Sequence, residues 1–231
     1  MTAALGNVVG ALAVVQHLRR SLRFIDACLA FGAGFMLAVA LLGVLPEVLR
    51  EGPGAALYIL FGYLAVHLAQ HVFVPHFHFG EETHRVARST GISAMLGLTL
   101  HTFFDGVAIA SGFLVSGRLG ILLFLAVLLH KLPEGVTIAS VIVASGRSRS
   151  EAIGAAAVLG GATVLGVLLT QQVAPLATRG LALSAGVALY VAASDLVPEF
   201  QAKRSWLSTL SFFGGALGFF LAERLLEIWV R

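Results

Sequence analysis

Charged side chains are scarce in this chain. Of its 231 residues only 12% are Asp, Glu, Lys or Arg, whereas 58% are hydrophobic and the mean hydropathy is +0.93. Soluble domains carry about 25% charged residues, and a soluble fold of this size could not hide so much apolar surface. The composition therefore excludes an ordinary soluble or disordered protein. It predicts an all-α membrane protein, because the apolar segments run continuously instead of alternating as in most β-barrels.

Cysteine is nearly absent as well. The single Cys28 excludes an intrachain disulfide framework. The formal net charge is +3, but the basic residues stand singly or in small groups between apolar runs. This distribution predicts orientation in a lipid bilayer and no nucleic-acid partner.

Long apolar runs fill almost the whole chain. A spanning helix needs about 20 residues, and breaking the chain at charge clusters, Pro and Gly gives eight candidates. We predict one transmembrane domain over residues 1–231, with spans at 2–18, 25–49, 54–74, 91–115, 118–143, 150–172, 180–200 and 206–229.

The orientation of the spans follows from the Lys and Arg residues in the connecting loops. Loops after the first, third, fifth and seventh spans carry nine of them, and the other loops and the C-terminal end carry five. Because basic residues accumulate on the cytoplasmic side, both termini are predicted to lie outside. The expected location is the plasma membrane, or the inner membrane of a bacterium.

The longest loop covers residues 75–90 and holds His76, His78 and His84 beside two glutamates. On this topology it faces the cytoplasm. One interpretation is a polar, solvated loop. The other is a weak metal-capturing segment, because His-rich tracts bind metals.

A motif recurs in the fourth and fifth spans. HTFFDGVAIAS begins at His101 and HKLPEGVTIAS begins at His130; six of their eleven positions are identical, and a seventh holds an acid in both. The acid follows the histidine by four residues in both, so His101 and Asp105 share one helix face, as do His130 and Glu134. A short turn joins the two spans, which therefore pair antiparallel and bring both pairs to a similar depth.

Acidic side chains near the middle of a membrane span require an explanation. A charge at the bilayer centre costs about 2.5–3.5 kcal/mol on insertion scales, and such groups persist when they pair or hold a cation. Two imidazoles and two carboxylates suit zinc or a similar divalent metal. The alternative is a buried network of acids, histidines and Lys131 that only joins two helices.

The shared motif on oppositely running spans indicates an inverted repeat, which is typical of secondary transporters. Spans two and seven add a weaker match, GVLPE against DLVPE. Further acids and histidines could line a route, although each could equally be a helix-end residue at the headgroup level. The candidate pathway residues are Glu47, His67, His71, Asp195 and Glu199.

These motifs resemble those of the ZIP (Zrt/Irt-like) family of divalent metal transporters. The resemblance extends to FGAGFMLAVALLGVLPE in span two and ALYVAASDLVPE in span seven. It implies eight spans with both termini outside, a transport site between spans four and five, homodimers and an elevator-like movement of one bundle. His101, Asp105, His130 and Glu134 correspond to the metal ligands, and Met36 is a possible additional one. The metal is a transported substrate, and no resident cofactor is implied.

Two positions depart from the family pattern. Many members hold a second metal with an Asn directly after the first His and an acid directly after the second. Here these positions are Thr102 and Lys131. The hypothesis is a single-metal site in which Lys131 takes the second metal's place; the alternative is that Lys131 titrates during transport.

Zinc is the expected metal, with iron, manganese, cobalt and cadmium possible. The competing function is a membrane-embedded zinc hydrolase.

Overall fold

In the computed structural model, the part of the chain described below comprises residues 2–16, 22–50, 52, 54–73, 88–198 and 205–229. Within these ranges the regular secondary structure is entirely helical, which confirms the all-α class. The elements are α1 (Thr2–Val15), α2 (Leu22–Ala38), the π-helical segment π1 (Val39–Val44), α3 (Leu45–Arg50), α4 (Ala55–Phe73), α5 (Arg88–Val115), α6 (Gly117–Ala144), α7 (Arg149–Gln172), α8 (Ala174–Tyr190), the π-helical segment π2 (Val191–Leu196) and α9 (Trp206–Trp229).

Six helical segments among the described residues are long and apolar enough to cross a membrane. They are Asp26–Arg50, Met95–Val115, Gly117–Val143, Arg149–Gln172, Ala174–Leu196 and Trp206–Ile228. The first and third predicted spans correspond to shorter apolar helices, Thr2–Val15 and Ala55–Ala69. The chain is a multi-pass membrane protein, and the count of eight spans stays a prediction.

The boundary before the seventh predicted span is wrong by several residues. Residues 173–179 were expected to form a loop, but α8 begins at Ala174, directly after Val173. Pro175 lies in the first turn of α8, where a missing N–H costs nothing and the fixed φ favours the helix. Arg179 is consequently a helical residue, and its guanidinium lies 5.3 Å from the centre of the Tyr58 ring.

The helices pack in two groups of four. In the first, α1 lies on α6 and α7, and α5 lies on α6 and α7. In the second, α2 packs on α9 and α4 packs on α8. The two groups meet chiefly where α5 contacts α8 and α2 contacts α6, so the helices that carry the repeated motif border both groups.

Reciprocal glycines set the closest crossing within the first group. A Cβ atom on Gly135 of α6 would overlap the Asn7 carbonyl of α1, and one on Gly10 of α1 would overlap the Leu132 carbonyl of α6. In both directions the carbonyl belongs to the residue three positions before the facing glycine. Such contacts bring two backbones together and gain packing energy where no hydrophobic effect drives association.

The same reciprocal arrangement occurs at three more crossings. It joins α5 to α7 through Gly106 and Gly166, α2 to α9 through Gly34 and Gly215, and α4 to α8 through Gly62 and Gly186. At each crossing the overlapping carbonyl again lies three residues before the partner glycine. Each crossing joins one half of the chain to the other. Exchanging the two halves relates α1 with α6 to α7 with α5, and α2 with α9 to α8 with α4.

The two π-helical segments also match. Each ends two residues before a proline, Pro46 after π1 and Pro198 after π2. The N–H of Leu45 bonds the Ala40 carbonyl and that of Val197 bonds the Ala192 carbonyl, five residues back in both cases. Because proline lacks an N–H and clashes with the turn before it, a wider turn accommodates it. The weak GVLPE and DLVPE match therefore marks equal local structures.

Replacing Gly34 by Ala should destabilise the helix pairing. The added methyl group would meet the Phe212 carbonyl of α9, and overpacking of this kind costs about 1–3 kcal/mol. Gly161→Ala is the matched control because a Cβ there meets nothing within 4 Å, and alanine favours a helix over glycine. Thermal unfolding in detergent should give a lower midpoint for Gly34→Ala and an unchanged or higher one for Gly161→Ala. Equal midpoints for both variants would contradict the close crossing.

Candidate metal site

Two antiparallel helices bring the repeated motif together. His101 and Asp105 lie one turn apart on α5, and His130 and Glu134 lie one turn apart on α6. Ser116 joins these helices, and its hydroxyl accepts a hydrogen bond from the Leu119 N–H as the N-cap of α6. The short connection and the equal spacing place both pairs at the same level.

The four side chains form one buried cluster. Each offers a ligand atom, and these atoms all lie within 4.8 Å of one another. All four residues are less than one tenth exposed. Among the described residues, these are the His, Cys, Asp and Glu side chains that lie close enough together to hold a metal ion. The grouping expected from the sequence is therefore present.

Asp105 lies at the centre of the cluster. Its Oδ2 atom is 3.2 Å from His130 Nε2 and 3.4 Å from His101 Nε2. The two imidazole rings face each other obliquely, with centroids 5.5 Å apart. A single carboxylate oxygen is thus approached by both imidazoles.

The hydrogen bond on the far side of the His130 ring shows which ring nitrogen carries a proton. Its Nδ1 lies 2.8 Å from the Ala126 carbonyl, which can only accept, so Nδ1 carries the proton. Nε2 then presents a lone pair to the Asp105 carboxylate unless a positive ion lies between them. A backbone bond of this kind is how metal-binding histidines are usually oriented. The geometry is suited to a cation, whether a proton or a metal.

Lys131 pairs with both acids and offsets part of their negative charge. Its Nζ donates to Asp105 Oδ2 and to Glu134 Oε2, both at 2.7 Å, and the side chain is completely buried. Thr102, the other position that departs from the family pattern, is also buried, but its hydroxyl donates to the Thr99 carbonyl of its own helix at 3.0 Å. The ammonium therefore faces the acids, while the threonine hydroxyl is turned back to the backbone.

A small cavity opens beside Asp105. Its volume of about 20 Å³ is enough for one water molecule or an ion of similar size. Met36 lines it from α2, and Ser184 lines it from α8 and donates to the Phe104 carbonyl at 3.2 Å. Met36 thus lies beside the same cavity as Asp105, and its role as an additional ligand stays a prediction. Ser184 could not be singled out from the sequence, because an isolated serine in an apolar helix has no spacing that marks it.

The candidate pathway residues whose side chains are described, Glu47, His67 and Asp195, are not members of this cluster. Glu47 is partly exposed and pairs with Arg50 at 3.0 Å. His67 is exposed, and its ring contacts that of Tyr190 with centroids 5.7 Å apart. Tyr63, one turn before His67, hydrogen-bonds Ser194 next to the partly buried Asp195. The structure thus brings His67 to the segment that holds Asp195.

Several predicted residues fall where no side chain is described. His71 lies in α4, and its side chain is not among those described. Glu199 and the loop histidines His76, His78 and His84 lie outside the described residues. Their assignment to the pathway or to metal capture stays a prediction.

Replacing Lys131 by Met should destabilise the metal-free protein. Removing one partner of a buried ion pair costs about 3–5 kcal/mol, which for a chain of this size lowers the unfolding midpoint on the order of 10 °C. Adding Asp105→Asn to the variant should restore part of the loss, because fewer uncompensated charges remain. Thermal unfolding with a chelator present measures both. An unchanged midpoint in Lys131→Met would contradict the charge pairing.

Comparison with known proteins supports the interpretation of the site. No curated protein matches the chain significantly. The family model described as ZIP Zinc transporter matches residues 76–223, which is more than half of the chain. The match contains both histidine–acid motifs and α8, whereas the resemblance noted in span two lies before it. With a buried His/Asp/Glu cluster between two apolar helices, the chain belongs to the ZIP family of zinc transporters.

Proposed function

We propose that this protein carries divalent transition-metal ions, zinc above all, across the membrane toward the cytoplasm through the cluster between α5 and α6. His101, Asp105, His130 and Glu134 bind the ion in this proposal. Membership of the family implies divalent metal transport. The choice of zinc, the direction of transport and the identity of the ligands go beyond what family membership implies.

The observation that carries the proposal is the orientation of His130. Its Nδ1 is engaged by the Ala126 carbonyl, so Nε2 is turned toward Asp105, where a proton or a metal ion can lie between the two acceptors. Two nitrogen and two oxygen ligands suit tetrahedral zinc. Ligand atoms around such an ion are about 3.3 Å apart for bonds near 2.0–2.1 Å. Atoms within 4.8 Å of one another can close around it with small side-chain movements.

The repeated crossings support eight spans arranged as an inverted repeat. The four reciprocal glycine pairs and the two π-helical segments relate α1 to α7, α2 to α8, α4 to α9 and α5 to α6. If α1 and α4 span the membrane like their counterparts, the related halves run in opposite directions. Both termini then lie outside, as the distribution of basic residues indicates.

This packing also favours movement of one group of helices against the other. The group of α1, α5, α6 and α7 holds the four metal ligands, and the group of α2, α4, α8 and α9 meets it along a border that includes the small cavity. Sliding of the first group would expose the cluster to either side. Glu47, His67, His71, Asp195 and Glu199 would then line the route, and the protein would act as a homodimer in the plasma membrane.

Lys131 supports a site for one metal. Its ammonium contacts both acids, where a second cation would otherwise bridge them. A dication and an ammonium about 4 Å apart repel by roughly 8 kcal/mol at an effective dielectric of 20. A second metal would therefore have to displace the ammonium from both carboxylates.

The proposed transport is tested by metal uptake into proteoliposomes. Zinc and cadmium uptake should fall by at least tenfold in His101→Ala, since one of four ligands is lost. Ser140→Ala is the matched control, because this residue ends the second motif on an exposed face of α6. A panel of metals, with and without a pH gradient, would identify the substrate and the coupling. Unchanged uptake in His101→Ala, or hydrolysis of a lipid or peptide without uptake, would overturn the proposal.

The single-metal site is tested by titration of the purified protein with zinc. One equivalent should bind with an affinity that depends on His101. The double variant Thr102→Asn, Lys131→Glu removes the ammonium and supplies an amide and an acid, so it should bind two equivalents. Two equivalents bound by the unmodified protein, both dependent on His101, would contradict the hypothesis.

A further inference from the structure

A buried amide lies unpaired beside the metal site. Asn7 of α1 is completely buried, and neither its Oδ1 nor its Nδ2 has a hydrogen-bond partner among the described residues. An unsatisfied buried polar group costs about 1–3 kcal/mol, and its presence in a native structure calls for an explanation. The sequence alone gave no reason to single this residue out.

Backbone contacts place Asn7 next to the second motif. A Cβ atom built on its neighbour Gly6 would lie 2.9 Å from Lys131 Cβ. The carbonyl of Asn7 itself lies against Gly135, the residue after Glu134. The start of the Lys131 side chain and the end of the motif therefore both touch this turn of α1.

Packing along α1 shows on which face of this helix Asn7 lies. One turn before Asn7, Ala3 packs in a cluster with Val127 of α6, and one turn after it, Ala11 packs with Ile138 of α6. Residues four apart share a helix face. Asn7 therefore lies on the face of α1 that packs against α5, α6 and α7, level with the stretch of α6 that contains Lys131 and Glu134.

The Lys131 ammonium needs a further acceptor when a metal binds. It has three donors, and its hydrogen-bond acceptors among the described residues are one oxygen each of Asp105 and Glu134. A metal that binds these carboxylates withdraws their charge and repels the ammonium. A neutral oxygen acceptor away from the metal would then stabilise the ammonium.

Two buried hydroxyl groups in this region already hydrogen-bond within their own helices. Thr102 donates to the Thr99 carbonyl, and Thr163 of α7 donates to the Leu159 carbonyl, each within its own helix. The Asn7 amide is bound to nothing in the described part of the chain. An amide oxygen is neutral and a good acceptor, and it therefore suits an ammonium that shares its site with a dication.

We infer that Asn7 is a positioning residue for Lys131: its Oδ1 accepts a hydrogen bond from the ammonium when metal occupies Asp105 and Glu134. This inference rests on the proposed function. Asn7 does not bind the metal. It lowers the cost of keeping a lysine beside a loaded metal site, and its amide is left unpaired in the metal-free arrangement.

The first test replaces Asn7 by Leu, which has a similar size and no polar atoms. Zinc affinity, measured by competition with a chelator, should weaken about ten- to hundredfold, because the displaced ammonium loses its acceptor. The unfolding midpoint of the metal-free protein should stay equal or rise, because an unpaired amide has been removed. Lower stability together with lower affinity would indicate a merely structural role and overturn the inference.

Two further variants separate the interaction with Lys131 from other effects. Asn7→Ser keeps a hydroxyl acceptor and should lose less affinity than Asn7→Leu. In a Lys131→Met background, Asn7→Leu should change zinc affinity less than twofold, since the ammonium is gone. An equal loss in both backgrounds, or in both Asn7 variants, would overturn the inference. Failure of the proposed metal site is recognised separately, because His101→Ala would then leave zinc affinity unchanged.

Discussion

The structure depends on the pairing of one buried ammonium with two buried carboxylates. Lys131 Nζ lies 2.7 Å from Asp105 and 2.7 Å from Glu134, and all three side chains are buried. Two unpaired acids in a low-dielectric interior would repel each other and resist burial. The ammonium permits both acids to stand side by side, and with the histidines they form a cluster that a divalent cation can enter.

The geometry of that cluster is fixed by close helix contacts. Gly106 and Gly135 directly follow the two acids, and each lies against a neighbouring backbone that permits no side chain. These contacts set the depth of α5 relative to α7 and of α6 relative to α1. A residue that serves the packing of the membrane domain thus stands next to one that serves the site, which explains why the two functions share one motif.

The wide turns of π1 and π2 lie near the same place. Val39 and Ala40 of π1 line the small cavity beside Asp105, and so do Val187 and Ala188, just before π2. Because each wide turn accommodates a proline, both edges of the cavity come from equivalent elements of the two halves. Backbone irregularity is therefore concentrated at the border between the two groups of helices.

The sequence by itself determined the membrane class, the repeated histidine–acid motif and the grouping of its four side chains. These follow from composition and from the four-residue spacing on a helix, which are local properties. It also indicated that Lys131 borders the acids, since residues three apart on a helix are neighbours. It misplaced the start of α8, because Pro175 reads as a break in the chain but lies in the first turn of a helix. Only the tertiary structure decided that Asn7 lies against Gly135 with no hydrogen-bond partner for its amide in the described part of the chain, that Ser184 lines the cavity and that Thr102 turns to its own backbone. Those relations join helices far apart in the chain, and side-chain contacts between distant segments leave no periodic trace in a single sequence.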